Sequence, residues 1–277
     1  IAESRQFVIN SLVLNDTKNY TTLYDQQGKE IMWVVTASEA FQLKAKEWEF
    51  PVLGAVPYKG FFEMERALAE KQKLEAEGWD VNVRNPGGWS TLGWFTDPIL
   101  SNMLSRSEGD LVSLIIHEMA HATIFVKDSV DFNENLASFI GDRGAEKFLI
   151  SKYGKNSEPY LQFVQENQEF IHYVDHILRG CDYLDSVYVA MADKTLDEKR
   201  ALKEAAIRKI MDAVDTLSFE ALVRPTDKHK VIPNNAYFMS FRRYQSKQDV
   251  FWQEWKHDFK GDLKAYIRAL ADRHPFL

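Results

Sequence analysis

SLIIHEMAHATIFVKDSVDFNENLA, residues 113–137, is the stretch from which the rest of the chain is read. His117 and His121 are four apart, a spacing that on an α-helix puts both imidazoles on one face, one turn above the other, within reach of a single metal ion. Glu118 follows His117 directly, so it flanks such an ion and is placed to take a proton from a bound water rather than to ligate. This is the H-E-x-x-H arrangement of zinc hydrolases, with two ligands and a general base in five residues. Catalytic zinc keeps three protein ligands and one open position. Glu134, at the expected start of the next helix, is the candidate third ligand. The alternative is a cluster of ordinary core histidines. The apolar entry of this helix (Leu111, Val112, Leu114, Ile115, Ile116) weighs against it, because burying two imidazoles and a carboxylate there without a cation is costly.

Length and composition agree with an enzyme. A chain of 277 residues with 45% apolar residues can bury a substantial core. A net charge of −7 with no basic block argues against a nucleic-acid partner. No apolar run approaches the length of a bilayer span. The single cysteine, Cys181, excludes an internal disulfide and a cysteine-based zinc site. The chain starts at Ile1, and we expect that a preceding segment, where a targeting signal would lie, has been removed.

Along the chain, Ile31–Thr36 reads as a buried strand, 37–47 as a short helix, and the Pro-, Gly- and aromatic-rich stretch 48–62 as an ordered loop. Strong helix formers fill 63–77 and stop at Gly78, and Trp79–Arg84 alternates as a half-exposed strand. Glycines between aromatics in 85–98 suggest a wall beside a bound peptide, or a packed turn supporting the helix that follows. A helix is expected at 99–105, and Ser107 with Asp110 has capping-box spacing ahead of the His117 helix. After Glu134 the helix runs towards Gly144, and another follows to Gly154. Residues 157–192 and 197–217 read as long amphipathic helices with solvated outer faces. His172 and His176 repeat the four-residue spacing, but Tyr173 stands where a base would be, so they read as packing or surface residues. Loop-like 222–235 precedes helices at 236–244, 248–257 and 261–272.

Several blocks together resemble a bacterial family of predicted aminopeptidases. They are WEFPVLGAVPYKGFF at 48–62, STLGWFTDP at 90–98, HEMAH at 117–121, FNENLA at 132–137 and NNA at 234–236. HEMAH followed by NENLA also resembles the gluzincin group of metallopeptidases, in which a glutamate on a later helix is the third zinc ligand. The resemblance implies an α+β, mostly helical fold. It would have a zincin-like catalytic core with a small mixed sheet, the HExxH helix, the following Glu-bearing helix and a C-terminal helical lobe. We expect one metallopeptidase domain over 1–277, with an α/β part at 1–100, the zinc-site helices at 101–154 and the lobe at 155–277. The resemblance also implies a cell-envelope or periplasmic protein attached to the membrane through a removed lipoprotein signal. One departure stands out. Thermolysin-like gluzincins place an aspartate four residues after the third ligand to orient a zinc histidine, and here that residue is Ser138. The orienting group is therefore expected elsewhere, at Asp142 or a backbone carbonyl.

The expected activity is zinc-dependent peptide hydrolysis, aminopeptidase-like or internal. One Zn2+ is held by His117, His121 and Glu134, and Glu118 is the general base. The oxyanion needs a further donor, for which Tyr237 is first choice, with Tyr244 and His229 behind it. Asp97, Glu108 and Asp131 are the acids considered for holding a substrate amino terminus. The alternative is a catalytically inactive relative that keeps the zinc and binds a peptide or protein partner.

Overall fold

Val112, Ile115, Ile116, Met119 and Ala120 recur at helical spacing, and in the computed structural model this stripe is the buried face of an α-helix, α3 (Glu108–His121). The structure describes residues 1–50, 54–86, 96–222 and 232–276. Ser107 caps α3, its side chain accepting the Asp110 amide at 3.3 Å, so the first turn starts where the capping spacing puts it. The next helix, α4 (Val130–Tyr153), buries Leu136, Ala137, Phe139 and Ile140 on the matching face. Complete burial of an Ile or Leu in such a face stabilises by about 1.5–3 kcal/mol.

Two glycines on α4 let the helices approach. A Cβ at Gly141 would stand 2.7 Å from the carbonyl oxygen of Ser113, and one at Gly144 would stand 2.8 Å from Ile116. Gly144 was expected to end the helix. It lies in the interior, with the chain helical on both sides, and the space it frees is taken by α3.

The described residues form two compact units. The first comprises residues 1–30, 86–165 and 243–277. It holds α1 (Ala2–Phe7), a π-helical turn at Val8–Leu12, α3, α4, and two C-terminal helices at Gln248–His257 and Leu263–Arg273. Its core joins Val8, Leu12, Ile115, Ile116, Ile140, Leu149, Phe251, Trp255 and Tyr266. Strands β1 (Leu23–Tyr24) and β2 (Ile99–Leu100) pair in parallel within it. A helix was expected at 99–105. Only Ser101–Ser105 is helical, as a 3-10 turn, because Ile99 and Leu100 pair as a strand.

The second unit comprises residues 31–85 and 166–242. Its three-stranded sheet is antiparallel, with Trp33–Glu39 between Lys59–Phe61 and Trp79–Arg84. The helix at Met64–Ala76 packs Ala67 and Leu74 on Val35, Ala37 and Val81 of that sheet. The expected helix at 37–47 is instead the end of the central strand and a turn. Ser38 bridges back to Ala45, and its hydroxyl donates to the carbonyls of Gln42 and Lys44. Within 48–62, Trp48–Phe50 and Gly54–Val56 form a hairpin and Lys59–Phe61 joins the sheet. Gly54 and Gly60 lie within these short strands and Pro57 between two of them, while 51–53 lie outside the described residues. The long helix Glu158–Ala190 belongs to both units, as does Asn235–Gln245.

Two polar anchors hold the second unit's returning chain. The buried Asn235 side chain donates to the carbonyls of Glu39 and Ala40 and accepts the Tyr188 hydroxyl, which gives the NNA block a structural role. The Glu169 carboxylate accepts the amides of Glu220, Ala221 and Leu222. Among the described residues, no helix is long and apolar enough to cross a membrane.

Candidate metal centre

His117 and His121 project from adjacent turns of α3, with their Nε2 atoms 3.1 Å apart and their rings at 82°. Glu134, in the second turn of α4, brings Oε2 to 3.3 Å from His117 Nε2 and 3.4 Å from His121 Nε2. These three atoms form a nearly equilateral triangle. Ligands about 2.0–2.1 Å from a tetrahedral zinc stand roughly 3.3–3.4 Å from one another, which is the size of this triangle. Two imidazole nitrogens and a carboxylate oxygen also form a donor set that a divalent ion accepts with a position left open. Among the described residues, this is the one such cluster of His, Cys, Asp and Glu. His176 instead points Nε2 at the Ile210 carbonyl, 2.8 Å away, and His172 is exposed.

Glu118 is buried beside the triangle. Burial pushes its carboxyl up; the imidazoles pull it down, and Glu134 and Asp97 push it up again, for a net rise. A raised carboxyl suits a group that must take a proton and later return it. Burial alone would also raise Glu134, but the His121 charge and hydrogen bonds from both imidazoles hold it well below the usual carboxylate range. His121 shifts the opposite way: burial lowers it, and the facing Glu134 outweighs that and raises it.

These opposed shifts predict a pH signature for the metal-stripped protein. The Glu134 contribution is present above the ordinary Glu value of 4.5 and is lost as pH falls. The His121 contribution is present below the ordinary His value of 6.5 and is lost as pH rises through the elevated folded value. Thermal melts of stripped protein should therefore show this pair stabilising most between pH 4.5 and 6.5. Zinc-loaded protein should gain relative to stripped protein above that window, because ligation requires deprotonated imidazoles. Parallel profiles for the two forms would contradict this.

The backbone around Glu134 is held by its neighbours in the chain. Asn133 exchanges two hydrogen bonds with Val126, its Oδ1 accepting the amide at 2.9 Å and its Nδ2 donating to the carbonyl at 2.8 Å. That pins the loop after α3 to the start of α4. The loop is tied further, with Phe125 N donating to His274 O and Phe276 N to Thr123 O. Asn135, fully buried, donates to the carbonyls of Asp131 and Arg243 and accepts the Lys247 amide at 2.8 Å. Gln248 Nε2 adds a bond to the Asn135 carbonyl at 2.9 Å. In the sequence these asparagines stand only as part of the FNENLA block.

A further row of contacts lies behind the triangle. Ser138 Oγ stands 3.4 Å from His117 Nδ1, and Ser113 Oγ donates to Asp142 Oδ1 at 2.8 Å. Asp142 does not take the place of Ser138 on the imidazole; its carboxylate is engaged by Ser113. Burial pushes the Asp142 carboxyl up against the pull of Arg143, the Ser113 hydroxyl and His117.

The other residues singled out in the sequence are dispersed. The Tyr237 hydroxyl pairs with that of Tyr173 inside the second unit's apolar cluster, and burial raises its pKa. Tyr244 is half-buried in the first unit, next to Arg243. His229 and most of the 85–98 stretch lie outside the described residues. Asp97 is buried, and its charge reaches Glu118. Glu108 sits at the far end of α3 with Lys152 and Tyr153, and the exposed Asp131 pairs with Arg243 at 3.5 Å.

In comparisons with known proteins, the family described as "Putative aminopeptidase" matches residues 1–274. No curated protein and no solved structure matches the chain.

Proposed function

The chain belongs to the putative aminopeptidase family, and from that premise we propose that it is a zinc-dependent peptide hydrolase with Glu118 as general base. The observation that carries this reading is the triangle of His117 Nε2, His121 Nε2 and Glu134 Oε2 with a buried carboxylate beside it. Two histidines and one carboxylate also serve non-haem iron oxygenases. A second carboxylate directly after the first histidine has no task in oxygen activation. It has one in hydrolysis, and the family description points the same way. The zincin-like core and the gluzincin type belong to this proposal.

When bound, zinc polarises the scissile carbonyl and lowers the pKa of a coordinated water towards about 7. The rest falls to the chain's own groups. His117 and His121 present neutral Nε2 lone pairs, and Glu134 supplies one negative charge. Glu118 takes a proton from the attacking water and passes it to the leaving amine. Among the described residues, its carboxylate is engaged by through-space charge and by no side-chain hydrogen bond, which suits an oxygen that must receive a water. Of the proposed oxyanion donors, we favour Tyr244, which shares a unit with the triangle.

The test is metal analysis paired with digestion of a peptide library. Purified protein should carry about one zinc per chain and release products whose termini map the cut. Loss of cleavage after acetylation of the library's amino termini would assign an aminopeptidase, and unchanged internal cuts an endopeptidase. Bound zinc without turnover would replace the hydrolase reading by that of a peptide-binding relative. Protein that takes up no zinc would overturn both.

A further inference from the structure

The two helices that carry the triangle meet along a ladder of polar pairs. On α3, Ser113, His117 and His121 recur every four residues and share one face; on α4, Glu134, Ser138 and Asp142 do the same. The helices pair them in antiparallel order. Ser113 meets Asp142 at 2.8 Å, His117 meets Ser138 at 3.4 Å, and His121 meets Glu134 at 3.4 Å. Gly141 makes the spacing attainable, since a Cβ there would lie 2.7 Å from the Ser113 carbonyl oxygen and 3.4 Å from His117 Cβ. The ladder is therefore a consequence of backbone approach, and its middle rung falls on a metal-ligand imidazole.

We propose that Ser138 is a positioning residue for His117: its hydroxyl oxygen accepts the Nδ1 proton, which fixes the tautomer whose Nε2 lone pair faces the metal. This rests on the zinc reading above, and it concerns which side chain orients the imidazole. A neutral imidazole has two tautomers, and only the one protonated at Nδ1 can ligate through Nε2. The partner of the non-ligating nitrogen decides between them. At His117 that partner is a hydroxyl and not a carboxylate. A hydroxyl gives the orientation but leaves the ring less basic, because it places no negative charge on Nδ1–H. The charge on this side of the site sits one rung further along, on Asp142, where Ser113 binds it.

Two variants and two readouts test this. Ser138→Ala should weaken zinc binding about 10- to 100-fold in a chelator competition, the usual cost of losing the partner of a ligating histidine. Ser138→Thr keeps the oxygen and should stay near wild type. The second readout needs no metal: 15N-detected imidazole spectra of the stripped protein, recorded well above the imidazole titration range. They should show His117 as the Nδ1-protonated tautomer in wild type and in Ser138→Thr, and as a mixture in Ser138→Ala. The His121 signals should not move, which separates a local effect from general loosening of the helices. Equal zinc affinity in wild type and Ser138→Ala, with an unchanged His117 tautomer, would overturn the proposal. If wild type takes up no zinc, the zinc reading fails by itself, and the tautomer comparison still reports whether Ser138 sets the ring.

Discussion

Glu118→Gln should lower kcat on a cleavable peptide by roughly 10²- to 10⁴-fold, the usual contribution of a positioned general base, while zinc content stays at the wild-type level. The amide is nearly isosteric with the carboxyl, so packing around this buried position should hold. It cannot accept the water's proton, and the loss therefore falls on the chemical step. KM should change little, since in the proposed site Glu118 does not ligate and, among the described residues, makes no side-chain hydrogen bond. The pH profile carries a second signature. The wild-type acid limb of kcat/KM should report the Glu118 carboxyl, and that limb should vanish in the variant's residual activity. A variant that kept full activity with intact zinc would remove Glu118 from the mechanism. One that lost zinc as well would show that it supports the ligands rather than the reaction.

The geometry of the candidate site was legible in the sequence where it is local. Two histidines four apart on one helix need only the helical period to be brought together. Glu134 needed one further assumption, that the loop after α3 doubles back, and the chain meets it through the Asn133–Val126 pair. The Ser138 rung was out of reach, because it depends on the register between two helices, which one sequence does not contain. Ser138 was noticed only as a missing aspartate.

Gly144 shows the same limit from the other side. A glycine in a helical pattern reads as a stop or as a close approach, and only the partner, Ile116 here, decides between them. The misreadings at 37–47 and 48–62 have a common cause. Helix formers in a short window were outweighed by strand pairing, and Gly54 and Gly60, which favour a loop reading, sit within short paired strands. Tyr237 was drawn towards the site by its closeness in sequence to the NNA block. That block fastens the second unit's own strand and helix, and Tyr237 packs there.

The largest effect on stability should come from Asn135, one residue beyond the proposed third ligand. Asn135→Ala removes a fully buried amide that joins the first turns of α4 to two later segments of the chain. It leaves the Lys247 amide and the Arg243 carbonyl without this partner in a water-poor place, and each such group costs about 1–3 kcal/mol. We expect a total near 3–5 kcal/mol, within the range of breaking a buried polar network, and a fall in melting temperature of roughly 10 °C. Asn135→Asp distinguishes packing from hydrogen bonding. It retains an acceptor for the Lys247 amide but loses both donated bonds, and it sets a second negative charge beside Glu134. Its melting temperature should also fall, and zinc affinity measured well below the melt should differ between the two variants because only one adds charge near the ligand. If Asn135→Ala melts within 2–3 °C of wild type, about 1 kcal/mol or less, then the clamp on α4 does not hold Glu134 in place. The position of Glu134 would then have to come from the α3–α4 apolar face alone.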